Sequence, residues 1–277
     1  MQQVQSIIDQ EMQIRYDLTK RLAREAGALA LEKLQELKSG AIEIESKGIS
    51  DFVTKADREV ECFIRDTIAA EFPDDGLLGE EYAATDSQNS IVWVIDPIDG
   101  TANFIRDLDN WGVSIACVRD GCCEIGAIYD PNKDFLFHAV KGGGAFKETT
   151  PLHHGHKTNT PPNPVMALGH SRRLPLSLYL NTIQYLFDER IEHRRAGSAA
   201  IALSQAAEGK VDGYFEGNLN AWDCMAGLLI NKEAGNIIQC GDDIQRNLSN
   251  GAVLVGNPYL LPQLEALERI CRSELAQ

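Results

Sequence analysis

Two aspartates, Asp96 and Asp99, stand three residues apart at the end of an apolar run, residues 91–95, and Gly100 and Thr101 follow at once. Proline at position 97 denies a strand its next donor, and glycine permits a tight turn. The chain is therefore expected to leave its sheet here with two carboxylates converging in the turn. Carboxylates held together repel, so they need a cation or a shared proton, and Mg²⁺ is the natural partner of clustered oxygen ligands. Gly100 and Thr101 add backbone amides and a hydroxyl where a short helix should open, and amides so placed bind anions, phosphate above all. Taken alone, the same residues also describe an ordinary strand-to-turn junction.

Other acids lie elsewhere in the chain. Glu80 and Glu81 follow Leu77-Leu78-Gly79, Asp223 follows Trp222 ahead of an apolar helical run at 225–230, and Asp57 sits near the start of a predicted helix. An Asp at a helix start is most often a cap or a partner for the dipole.

The elements that must position these groups are legible from periodicity. Residues 16–38 are rich in Ala, Leu, Glu, Lys and Arg with Leu18, Leu22 and Leu29 at helical spacing, and a second helix is expected over 54–70, where Val60, Phe63, Ile64 and Ile68 share a face before Pro73. Apolar runs at 91–95, 111–118, 123–129 and 135–140, punctuated by Asp120-Gly121 and Asp130-Pro131-Asn132, predict an antiparallel meander. Beyond the Pro-rich stretch 151–164, short apolar runs at 165–168, 211–215, 237–238 and 252–255 alternate with helical segments, an α/β pattern. Two halves follow, 1–150 with the antiparallel sheet and most of the candidate ligands, and 151–277 completing the site. His153, His154 and His156 make a zinc tract conceivable from composition, but an exposed interdomain loop is the preferred reading.

The 277 residues suffice to bury a large core without disulfides, and an apolar fraction of 44% with 24% charged residues describes a folded chain. Forty-one acidic against 26 basic residues give a formal charge of −15, which disfavours direct nucleic-acid binding and means that a phosphate site needs bound cations or clustered donors to reverse the local sign, which favours a metal. The seven cysteines show no zinc-finger spacing, and adjacent Cys122 and Cys123 should face opposite ways in a strand, so a reducing compartment is expected. The N-terminus lacks a signal pattern and no window could span a bilayer, which predicts a cytoplasmic protein with no membrane association.

Four motifs in order, GEE at 79–81, WVIDPIDGTANF at 93–104, AGSAA at 196–200 and WDCMAGLLINKEAG at 222–235, resemble the inositol monophosphatase family of lithium-sensitive, Mg²⁺-dependent phosphatases over about residues 20–260. The resemblance implies a mixed α/β fold, a layered α-β-α-β-α sandwich of the inositol monophosphatase and fructose-1,6-bisphosphatase type. It implies two or three Mg²⁺ per site, with Glu80 on one metal, Asp96 bridging two, the Ile98 carbonyl on the first, and Asp99 and Asp223 on the second. Asp57 and the Thr101 hydroxyl would activate the nucleophilic water, and the Gly100 and Thr101 amides would hold phosphate. Gly197, Ser198 and Ala199 would begin a helix whose amides face the leaving group, and Glu216 would bind substrate hydroxyls. Lys47 matches a loop lysine near the metals. Homodimers are common in the family.

This chain departs from the family pattern at Ala102, at Asn236 and most in YFEGNLNAWD, residues 214–223, which approaches the substrate. The expected reaction is hydrolysis of a small-metabolite phosphate monoester, inositol 1-phosphate first. Histidinol phosphate, sugar phosphates including fructose 1,6-bisphosphate, and adenosine 3′,5′-bisphosphate are the alternatives. A binding protein of a transcription complex with incidental phosphatase activity, and a metal-storage protein, are readings from other classes. No Gly-x-Ser-x-Gly elbow supports a serine nucleophile, and an Asp96 phosphoenzyme would leave the other carboxylates without a purpose.

Overall fold

The computed structural model describes residues 9–39, 44–46, 52–156, 161–240 and 249–275. Helix α1 (Gln10–Lys38) starts before the first leucine of the periodic run because Asp9 caps it, accepting the Met12 amide at 2.8 Å. A short hairpin, β1 (Ile44–Ser46) with β2 (Phe52–Thr54), leads into α2 (Lys55–Glu71). A seven-stranded sheet follows: β3 (Gly76–Gly79), β4 (Ile91–Asp99), β5 (Gly112–Arg119), β6 (Cys122–Asp130), β7 (Phe135–Val140), β8 (Gly144–Lys147) and β9 (Thr150–Leu152), in that spatial order. From β4 onward it is the expected meander, but β3 joins parallel to β4, and β8 and β9 extend it by two short strands. Part of the Pro-rich stretch is thus sheet edge, and His154 is buried in a 3₁₀ turn instead of exposed in a loop.

The second sheet has the order β11 (Glu192–Arg194), β10 (Val165–Leu168), β12 (Gly213–Asn220), β14 (Asn250–Gly256) and β13 (Ile237–Cys240). It is mixed: β10 runs parallel to both its neighbours, while β14 is antiparallel to both of its own. Its helices are α4 (Leu176–Asp188), α5 (Ala199–Glu208), α6 (Ala221–Glu233) and α7 (Leu261–Leu275).

Alternation along the strands sorts side chains into three cores. Trp93, Ile95, Val113 and Ile115 face α1 and α2, whereas Val94, Ala116 and Ile128 face α5 and α6. The same two helices pack on Tyr214, Val253 and Val255 of the second sheet, whose opposite face, with Met166, Phe215 and Leu254, is covered by α4 and α7. The result is the five-layer α-β-α-β-α sandwich, with α5 and α6 shared between the two sheets.

Candidate active site

The segment 96–99 does not leave the sheet as a tight turn; it remains in β4. Asp96 pairs with Ser114 and Asp99 with Gly112, so two residues of β4 oppose one of β5. This is a bulge, and Pro97, which has no amide to give a ladder, lies within it. Residues three apart in a regular strand point to opposite faces. The extra residue cancels that inversion and turns both carboxylates to the same place.

Asp223 joins them from α6. It occupies the third helical position and closes a capping box with Asn220, whose amide donates to its Oδ2 at 2.8 Å. It is therefore both a cap and a member of the site. One oxygen from each of Asp96, Asp99 and Asp223 lies within 4.8 Å of the others. Asp99 is held from outside the cluster, where the Ser198 hydroxyl donates to its Oδ2 at 2.5 Å and the Ala200 amide at 2.6 Å. Ser198 is also the cap of α5, accepting the Ile201 amide at 3.1 Å. The first amides of α5 thus meet Asp99, and Gly197, Ser198 and Ala199 line the adjacent cavity.

Gly100 has φ +98°, and a Cβ there would lie 2.9 Å from the Asn110 carbonyl, so glycine is required to turn from the bulge into α3 (Thr101–Phe104). The Thr101 hydroxyl sits 3.2 Å from both Asp57 Oδ1 and the Ile98 carbonyl. Asp57, buried in the first turn of α2, is thereby brought to the same corner. Glu80 follows β3, whose last residue pairs with Ile95. It lies outside the tight trio, yet near enough to oppose ionisation of Asp96. Lys47 falls outside the described residues.

Burial and mutual repulsion define the electrostatics. Asp96 is pushed well above the carboxylate range by burial and then by Glu80, Asp99, Asp223 and Asp57. Burial lifts Asp99 to about 6 against its hydrogen bonds, and burial with the Asp99 charge lifts Asp223 to about 7. Among the described residues no Lys or Arg forms an ion pair with this trio. Buried or half-buried, all-oxygen and unpaired with any described Lys or Arg, these groups fit a hard divalent cation such as Mg²⁺ and offer no thiolate or imidazole for a softer one.

Beside the trio opens a cavity of about 210 Å³ whose walls include Asp99, Asp223, Glu216, Tyr214, Arg195 and His170. Glu216 accepts the Tyr214 hydroxyl at 2.6 Å and is raised to about 7, by burial first. Arg195 and His170 carry no sequence signal, and Tyr214 enters only as the first residue of the divergent segment 214–223. They belong to no common motif, and only the pairing of β10 with β12 brings residues 170 and 214 together.

Residues 11–273 match the inositol monophosphatase family. The chain is 35% identical over 253 residues to Nus factor SuhB of Escherichia coli K12, covering 90% of this chain and 94% of that one. It is 35% identical over 221 residues to the inositol-1-monophosphatase of Mesorhizobium japonicum, covering 79% and 83%. Among solved structures, the extragenic suppressor protein SuhB of Bartonella henselae superposes with a TM-score of 0.83 at 30% identity, over 92% of this chain and 97% of that one.

Proposed function

The chain belongs to the inositol monophosphatase family, a family of metal-dependent phosphatases acting on small phosphorylated metabolites, and from that premise we propose that it hydrolyses the phosphate monoester of a small polyol, inositol 1-phosphate first. The observation that carries this reading is the convergence of Asp96 and Asp99 from the first sheet with Asp223 from the shared helix, beside a cavity of metabolite size. In this reading Glu80, Asp96, the Ile98 carbonyl, Asp99 and Asp223 hold two or three Mg²⁺. When bound there, the cations lower the pKa of water and stabilise charge on the departing ester oxygen.

The chain's own groups do the rest. The Thr101 hydroxyl, between the Asp57 carboxylate and the Ile98 carbonyl, holds and orients the attacking water, with Asp57 the acceptor for its proton. The Gly100 and Thr101 amides hold phosphate oxygens in line with that water. Ser198 and the α5 amides fix Asp99, and Glu216 receives substrate hydroxyls. As the P–O ester bond breaks, the departing oxygen takes a proton from solvent water in the open cavity and Asp57 returns its own to solvent, so the products are the free alcohol and inorganic phosphate. A panel of phosphorylated metabolites ranked by kcat/KM with Mg²⁺ tests this: inositol 1-phosphate should lead, with inhibition by Li⁺. Full activity in Asp96→Asn, or no phosphate release from any ester, would overturn it.

A second reading is favoured by the relative named a Nus factor: a role as partner in a transcription complex, exercised through protein contacts because the net charge of −15 opposes nucleic acid. Pull-down with wild type and Asp96→Asn separates the two, since partner capture independent of catalysis supports it and capture lost with catalysis opposes it. The working state is taken to be a homodimer, to be checked by light scattering. Among the described residues no helix is long and apolar enough to cross a membrane.

A further inference from the structure

Glu61 is a carboxylate with no exposure to solvent, on the buried face of α2 and outside every group assigned so far. Its Oε2 accepts the Glu81 amide at 2.7 Å, and its Oε1 accepts Arg65 Nη1 at 3.0 Å, one helical turn along. The other terminal nitrogen of Arg65 reaches the Ala83 carbonyl at 2.7 Å. A carboxylate and a guanidinium on one helix thus grip the backbone of residues 81 and 83, just after Glu80. Gly79 lies directly against this grip: a Cβ there would come within 2.2 Å of Glu61 Oε1. The approach is that close because Gly79 is the last residue of β3, paired with Ile95, and the next residue on each strand is an acid of the site, Glu80 and Asp96.

We propose that Glu61 and Arg65 are positioning residues for metal binding: they fix the backbone at 79–83 so that Glu80 is presented to the cation site beside Asp96. A buried carboxylate is retained only where hydrogen bonds compensate its desolvation, and here one bond comes from the Glu81 amide and the other from the Arg65 that holds the Ala83 carbonyl. Arg65 alone could have been paired on the protein surface. Groups that orient a metal ligand from behind are worth about 10–100-fold in affinity or activity. The inference rests on the reading of Glu80 as a ligand, so its test keeps the two separable.

Mn²⁺ binding to the full chain, without substrate, is measured by the electron paramagnetic resonance of the free ion for wild type, Glu61→Leu, Glu61→Gln, Glu80→Gln and the double variant Glu61→Leu/Glu80→Gln. Thermal unfolding is followed in parallel. Leucine fills the volume and removes both acceptors. Glu61→Leu should weaken Mn²⁺ about tenfold, Glu61→Gln less, and the double variant should be no weaker than Glu80→Gln, because Glu61 acts through Glu80. If Glu80→Gln weakens binding while Glu61→Leu does not, or if the two losses multiply in the double variant, the positioning role is overturned. If Glu80→Gln leaves binding unchanged, the assignment of Glu80 as a ligand fails instead, and positioning through it fails with it. Should Glu61→Leu not fold, Arg65→Met removes the second half of the grip from a less buried position and faces the same criteria.

Discussion

Asp75 and Asp96 are both buried aspartates served by the same sheet, and their surroundings are opposite. Around Asp75, Arg15 donates from Nε at 2.8 Å and Nη2 at 2.7 Å, Asn89 at 2.7 Å and Trp93 Nε1 at 2.8 Å. Burial would raise its carboxyl, but these donors outweigh burial and hold it below the usual range. Around Asp96, burial is joined by four further carboxylates, and the carboxyl rises well above that range. The first is a closed ionic joint between α1 and the sheet. The second is a concentration of like charge in which, among the described residues, no Lys or Arg forms an ion pair with Asp96, Asp99 or Asp223, and this separates a ligand site from a structural one.

Exchange of each acid for its amide should sharpen that contrast. Asp96→Asn is expected to lower kcat at least about a thousandfold, roughly 4 kcal/mol of barrier, while the melting temperature of the metal-free protein holds or rises because repulsion is relieved. Asp75→Asn should do the reverse: it removes the buried counter-charge of Arg15, itself 2% exposed, leaving only the exposed Glu11, and costs about 4 kcal/mol of stability in urea titrations. Its kcat should change little. A variant pair that reversed these signatures would break the distinction.

Acid titration should give the next largest effect, at a third buried group. His138 is held neutral between the Tyr16 hydroxyl at Nδ1, 2.6 Å away, and the Glu148 carbonyl, which accepts from Nε2–H at 2.8 Å. Burial lowers it from 6.5 to about 4. The unfolded chain therefore binds the extra proton first, so this contribution is complete above pH 6.5 and is lost as pH falls toward 4, about 3 kcal/mol in all. His138→Gln should flatten the pH dependence of stability across that window.

The smallest effect is that of Mg²⁺ on the carboxylates of the site. Asp99 and Asp223 are raised in the fold, so in the metal-free protein the stability they allow is fully present below about pH 4 and declines as pH rises through 6 to 7. Mg²⁺ should oppose that decline. Its stabilisation, about 2 kcal/mol at saturating concentration, should be larger at pH 7.5 than at pH 5 by differential scanning fluorimetry, and absent in Asp96→Asn.

Much of this arrangement was legible in the chain. The 3.6-residue period of 16–38 and 54–70 located α1 and α2, and the runs at 91–140 located β4 to β7, because each buries one face and local pattern suffices. The bulge was not legible. Asp-Pro-x-Asp reads as a turn, and only pairing with β5 keeps it in register. The short strands β3, β8, β9 and β11 escaped because three or four residues carry too little alternation. The contacts that set the chemistry were the least accessible. Ser198 meets Asp99 across 99 residues, and Arg15 meets Asp75 across 60, separations over which pattern carries no information. Glu61 carries no signal in the sequence that separates it from other helical charges, since its partners at 81 and 65 come from the fold.

The shared layer of α5 and α6 has a consequence for how the molecule comes apart. Each helix is lined on one side by Ala116 and Ile128 of the first sheet and on the other by Val253 and Val255 of the second, so neither sheet can shed them without exposing its own apolar face. Fragments cut at residue 150 should each present a sticky, half-covered sheet and precipitate, and the intact chain should melt in one step. With Asp99 on one sheet and Asp223 on the common helix, loss of that layer at any stage of unfolding dismantles the cation site at the same moment.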